Sequence, residues 1–404
     1  MSTPGFRSFS PALQRFLVAT IVNLMGSSAL FSFEMIYFHE VRGISLGQAG
    51  LAIAATSLVV VAFTPIAGWL SDRFGPRLML VIGCLVSIVA GSCYILVTTF
   101  TGAVLVSALL GLGNALWWPA QQALMSLIVQ PHERPALSAF HRAALNLGAA
   151  LGGVIGGLMV SSGSLSSFRW LFAFNVLSYL VFLTVVPGLP SGRVERAPRR
   201  QDRPGFRLVL SDRFFVRLLG TDIAIALSFG FLFSVMPAYA SQLGIGNATI
   251  GLLFMFGAAA VVITQIPTLR WVSGRRRMRM LTLMNLWFVA AFVLMVATPY
   301  LAVGLAVVVI AVGQVLGGCG EALLGAVRQP LTADLAPPEV VGRYFGLAAM
   351  VFQGSMGAAN AMGGALMQHS LRAVWLLPLA AALCGAIATM RLGRRVPTHV
   401  AFSP

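Results

Sequence analysis

Twelve apolar runs of about twenty residues or more leave this chain few ways to fold. A helix needs about 20 apolar residues to cross the roughly 30 Å hydrocarbon layer of a bilayer, and only a helix or a closed barrel satisfies its own backbone there. Read with Gly, Pro and Arg as punctuation, hydropathy predicts helices near 16–38, 46–69, 78–98, 102–129, 136–161 and 168–187. A second set follows near 214–240, 247–269, 279–298, 301–327, 343–368 and 373–391. Composition agrees, with 58% hydrophobic and 9% charged residues against roughly 25% charged in soluble domains. The expected fold is an all-α membrane protein of 12 transmembrane helices. Its first run is too long for the core of a signal peptide and reads as a retained span. The four cysteines lie within apolar runs and suggest neither a disulfide framework nor a metal site.

Charge then orients the spans. The 27 basic residues, all arginine, outnumber 11 acids and give +16, a surplus that could suggest an anionic partner. An even number of spans puts both termini on one face. Arg7, Arg15, Arg73, Arg77, Arg134, Arg270, Arg275 to Arg277, Arg279, Arg343, Arg391, Arg394 and Arg395 all fall on that face. So do six arginines of the only long polar segment, Gly188 to Asp212; Arg42, Arg169 and Arg372 fall opposite. The excess of positive charge on one side predicts cytoplasmic termini, and the absence of Lys fits a GC-rich bacterial genome and its inner membrane. The expected division is a six-helix bundle over 1–187, an arginine-rich cytoplasmic linker over 188–212, and a second bundle over 213–404.

The two sets repeat one another. A shift of 202 positions aligns Tyr37 with Tyr239 and Pro65 with Pro267, and sets Trp69, Ser71, Arg73 and Arg77 on Trp271, Ser273, Arg275 and Arg279. At 207, Gly111, Gly113 and Gln122 meet Gly318, Gly320 and Gln329, and Gly156-Gly157 meets Gly363-Gly364. Matches among Trp, Pro, Tyr and Arg are hard to reach by chance in a chain rich in Leu and Ala, so the pattern predicts a duplicated six-helix unit.

Between spans 2 and 3 the chain reads GWLSDRFGPR, from Gly68 to Arg77. This segment resembles the signature loop of the major facilitator superfamily, and the whole chain is similar to its 12-helix drug/proton antiporter-like exporters. The resemblance implies two pseudo-symmetric bundles that rock about a central site lined by spans 1, 4, 7 and 10, with Gly68, Asp72, Arg73, Gly75 and Arg77 as a cytoplasmic gate. In the second half Asp72 is met by Gly274 and Gly75 by Arg277, so the acid of the gate is not repeated. Gly148, Gly152, Gly153, Gly156 and Gly157 of span 5 resemble the antiporter motif; together with Gly363 of span 11 they equally fit close helix packing. The implied function is secondary active transport, as proton-coupled efflux of small amphipathic or cationic compounds. The alternatives are a proton-coupled importer or exporter of a specific metabolite, and a non-transporting membrane sensor. No P-loop is present for ATP-driven transport, and the five His are scattered, so no enzyme is expected. The proton is the only coupling ion expected, with no cofactor and no metal. Partners are a small-molecule substrate and the bilayer, with no nucleic acid, and the chain is expected to act as a monomer.

Charged groups within a span cost at least about 2.5–3.5 kcal/mol on insertion scales, so they default to functional candidates. Three acids qualify, all on the spans that the resemblance places around the cavity: Glu34, Asp222 and Glu321. At 1.5 Å per residue, Glu34 sits about 10 Å outward of the middle of its span, Asp222 about 7 Å inward and Glu321 about 12 Å inward. A carboxyl whose access to water alternates can take up and release a proton. Asp222 could instead be held by Arg217 or Arg15, and Glu321 by Arg328. His141 and Arg142 are further candidates. Asn23, Asn114, Trp117, Gln121, Asn146 and Gln314 are the polar or amphipathic residues placed to line a cavity or to bond a neighbouring helix.

Overall fold

A computed structural model of the chain describes residues 9–129, 133–189, 206–337, 340–397 and 400–403. The spans are α1 (Pro11–Val41), α2 (Leu46–Phe74), α3 (Pro76–Cys93), α4 (Phe100–Ile128), α5 (Arg134–Met159) and α6 (Leu165–Val185). There follow α7 (Arg213–Gln242), α8 (Asn247–Val272), α9 (Arg277–Ala297), α10 (Val303–Leu335), α11 (Val341–His369) and α12 (Leu376–Leu392). The first ten are long and apolar enough to cross a membrane. In α11 the apolar run is diluted by Gln353, Ser355 and Asn360, and α12 is an apolar helix of 17 residues. These two complete the twelve.

Local chemistry sets several of the helix starts. Ser10 caps α1 by accepting the N–H of Leu13 at 3.4 Å, with Pro11 in the first turn. Thr99 caps α4 through Gly102 at 3.2 Å. One carboxylate oxygen of Asp212 accepts from Phe214 at 3.0 Å and Phe215 at 2.9 Å and starts α7. These side chains satisfy N–H groups that a first turn leaves without partners. Between α2 and α3 the chain turns on Gly75, whose φ of 91° is open to glycine, and Pro76 opens α3. The end of α10 departs from the sequence expectation, since the helix runs past residue 327 to Leu335 through an internal Pro330. The proline removes one backbone bond, and a helix packed among others tolerates that.

The chain divides into two compact units, Met1–Ala197 with Gly246–Met255, and Pro198–Ile245 with Phe256–Pro404. Of the expected linker, residues 190–205 lie outside the described residues, and Phe206–Ser211 forms a short helix. Within the first unit α1 packs on α5 and α6, α2 on α4, and α3 on α4 and α6. The second unit repeats most of this, with α7 on α11 and α12, and α9 on α10 and α12. One joint is duplicated in detail. Tyr37 donates to the carbonyl of Tyr94 in the 3-10 turn after α3 at 2.7 Å, and its ring meets Phe168 of α6 at 5.3 Å. The Tyr239 hydroxyl meets that of Thr298 in the 3-10 turn after α9 at 2.7 Å, and its ring meets Trp375, beside α12, at 5.0 Å. Leu58, Leu105, Trp170 and Ile263 stand exposed, as residues facing lipid do.

Candidate functional site: the buried acids

Glu34 lies near the end of the regular α-helical part of α1, just ahead of a π-helical turn over Tyr37–Val41. It is 2% exposed. Its Oε1 accepts from the Tyr94 hydroxyl at 2.6 Å and from the Ser107 hydroxyl of α4 at 3.1 Å. Three elements therefore meet at one carboxyl oxygen. Tyr94 is held in turn: its carbonyl takes the Tyr37 hydroxyl, and Arg42 donates through Nε to that hydroxyl at 2.6 Å and through another nitrogen to the Ile95 carbonyl. Phe172 packs on the rings of Tyr37 and Tyr94, at 4.7 and 5.2 Å. No cation is bonded to Glu34 among the described residues, so it is a buried carboxyl satisfied by hydroxyls. Sequence reasoning missed Tyr94 and Ser107. Only the repeat of Tyr37 at Tyr239 pointed towards this corner.

Asp222 in α7 is also buried, and its partner is Arg328 of α10. Nε of Arg328 donates to Oδ1 at 2.7 Å, a terminal nitrogen donates to Oδ2, and the other donates to Thr332. This corrects two expectations, since neither Arg217 nor Arg15 holds Asp222, and Arg328 turns to Asp222 rather than to Glu321. Glu321 stands seven residues from Arg328, about 10 Å along the axis, whereas Asp222 faces it across the helix contact. Glu321 is half-buried, and because α10 extends to Leu335 it lies near the middle of its helix rather than about 12 Å inward.

The polar candidates divide between core and helix contacts. Gln121 of α4 donates to Thr20 of α1 at 3.5 Å, and Gln314 of α10 to the Leu232 carbonyl of α7 at 3.3 Å. Asn23 is buried, with its amide nitrogen unpartnered among the described residues. Trp117 packs on Phe182 in the core of the first unit, while Asn114 and Asn146 are half-buried. His141 is buried and Arg142 half-buried at the start of α5.

At the signature loop, Arg73 lies over the rings of Trp69 and Phe74, at 5.4 and 5.5 Å, and Arg77 donates to the Pro187 carbonyl at 2.5 Å. A methyl group on Gly68 would meet nothing within 4 Å among the described residues, so no close approach depends on it. Asp72 is in the last turn of α2, and its side chain lies outside the described residues. In the corresponding second-half loop, Arg277 is buried and paired with Asp334 at 2.5 Å. Three of the five α5 glycines lie against α1: a Cβ on Gly148, Gly152 or Gly156 would come within 2.7 Å of the Ile21 carbonyl, 2.4 Å of the Met25 carbonyl and 3.0 Å of Ala29, whereas one on Gly153 or Gly157 would meet Phe254 at 2.8 Å or the Asn247 carbonyl at 2.5 Å. On α11, one on Gly363 would meet Val235 at 2.4 Å.

Comparison with known proteins agrees with this architecture. The family profile described as Major Facilitator Superfamily matches residues 16–314 and 219–404. The chain is 26% identical over 351 residues to the uncharacterized MFS-type transporter YqjV of Bacillus subtilis, covering 84% of this chain and 83% of that one. It is 24% identical over 387 residues to the multidrug resistance protein MdtH of Yersinia enterocolitica, covering 93% and 91%. Among solved structures, a peptide transporter POT in complex with sulfate superposes with a TM-score of 0.78 at 15% identity, covering 99% and 98%. These relatives are transporters, not enzymes, and a profile that spans nearly the whole chain, on twelve helices built from a repeated unit, shows that this chain belongs to the Major Facilitator Superfamily.

Proposed function

We propose that the chain is a proton-coupled exporter of small amphipathic or cationic compounds, with Glu34 as the group that carries the proton. The observation behind this is the Glu34 carboxyl itself, buried, free of any cationic partner among the described residues, and anchored through one oxygen by Tyr94 and Ser107. A carboxyl retains acceptor capacity at one oxygen whether or not the other carries a proton. Glu34 can therefore change protonation state without releasing either hydroxyl. Asp222 is different: a forked guanidinium holds both its oxygens, and protonating it would strand a buried arginine charge. We assign that pair to structure. Efflux is supported by the likeness to MdtH, and the arginine-rich face supports a bacterial cytoplasmic membrane with both termini inside.

In everted vesicles, imposed internal acidity should drive uptake of a cationic dye. Glu34→Gln should abolish that uptake yet retain exchange of internal for external dye without a gradient. Uptake by the unaltered chain that ignores the gradient would overturn proton antiport; gradient-driven uptake surviving in Glu34→Gln would remove Glu34 from the role.

A further inference from the structure

The repeat exposes an unmatched site in the second unit. In the first unit Arg77, in the opening turn of α3, bonds the carbonyl of Pro187, just past α6. The register carries Arg77 to Arg279 at a shift of 202, and Pro187 to Arg394 at a shift of 207. The same joint in the second unit thus sets one arginine beside another, around a cleft of 690 Å³ between the start of α9 and the end of α12. The segment Val400–Ser403 closes one side by pairing with the loop before α9. Gly274 donates to the Ser403 carbonyl at 3.0 Å, Ser403 to the Arg275 carbonyl at 2.9 Å, and Arg277 to the Ala401 carbonyl at 3.0 Å. This brings in Arg276, stacked over the Phe402 ring at 5.8 Å.

Arg276, Arg279 and Arg394 line this cleft, all three are exposed, and none is in an ion pair among the described residues. Neighbouring acids of the unit are engaged elsewhere: Asp222 by Arg328, Asp334 by Arg277, and Asp212 by the start of α7 and the Tyr344 hydroxyl. Three like charges about one cleft repel one another, and an external anion relieves that. The other part of the lining is apolar. Leu286 of α9 and Met390 of α12 border the cleft and are exposed, and one heptad further along each helix Val293 and Leu383 are exposed as well. A polar arginine mouth therefore opens onto an apolar track that runs along both helices.

We propose that this cleft binds the phosphate headgroup of an anionic phospholipid, whose acyl chains lie along the track on α9 and α12. Guanidinium forks match phosphate oxygens in two-point contacts, and basic pockets between transmembrane helices suit such headgroups. A soluble phosphate would satisfy the arginines but leave the apolar track unused.

The purified full-length chain, stripped of lipid in mild detergent, is offered phosphatidylglycerol or phosphatidylcholine of the same acyl composition, and retained lipid is counted by native mass spectrometry. Phosphatidylglycerol should be retained about tenfold better, a preference of about 1.4 kcal/mol. Arg279→Gln with Arg394→Gln should bring it down to the level of phosphatidylcholine, and Arg279→Lys with Arg394→Lys should fall between. Excess inorganic phosphate should not displace it. Equal retention of the two lipids by the unaltered chain overturns the proposal even where the glutamine variant does not fold. Displacement by inorganic phosphate, or undiminished retention in the folded variant, overturns it too.

Discussion

At the scale of single residues, two buried acids of the membrane-spanning helices have opposite environments. Asp222 and Arg328 form a forked pair with both members buried, and removing one partner leaves the other as an uncompensated charge. Arg328→Gln or Asp222→Asn alone should destabilise by about 3–5 kcal/mol. The double replacement should recover most of that loss, as read by thermal unfolding in detergent. Recovery of nothing would mean that the two groups do not depend on one another. Glu34→Gln keeps an oxygen able to accept from Tyr94 and Ser107, so it should change unfolding by no more than about 1 kcal/mol. Hydropathy located Glu34, Asp222 and Glu321, but it did not identify their partners. The Arg328 assignment failed because sequence spacing paired it along its own helix, while the structure pairs it with a residue 106 positions away.

At the scale of elements, the glycines separate into those that a neighbour requires and those that it does not. On α5, Gly152 faces the Met25 carbonyl, and an added methyl group would stand 2.4 Å from it. Because that obstacle is backbone, Gly152→Ala should cost about 1–3 kcal/mol or prevent α1 and α5 from packing, visible as a lowered Tm. Gly68→Ala should leave Tm unchanged or raise it by the helix propensity that alanine gains, at most about 1 kcal/mol, since its Cβ position is open among the described residues. A Gly68→Ala variant that unfolds as readily as Gly152→Ala would contradict this packing. The glycine stripe was legible in sequence because its spacing matches the helical period. Its partner helix was not, since small residues at that spacing suit any close contact.

For the whole molecule, the testable quantity is the side on which each loop lies. The arginine distribution predicts that the loop between α5 and α6 lies on the face opposite the loop between α8 and α9. In a variant lacking the four native cysteines, Ser162→Cys should react in intact cells with a membrane-impermeant maleimide, and Ser273→Cys only after the membrane is opened. Equal labelling of both would refute twelve crossings with cytoplasmic termini. At this scale the sequence by itself determined the number and order of the helices and the duplication, while the end of α10, which runs on through Pro330 to Leu335, emerged only in the structure. Run length and side-chain period are local properties, and each is written in consecutive residues. Only the tertiary structure decided which groups meet: Tyr94 and Ser107 on Glu34, Arg328 on Asp222, Arg277 on Asp334. Those meetings depend on how far each helix is rotated and slid against its neighbours. Packing of one helix on another sets both, and an apolar run reads the same at every rotation.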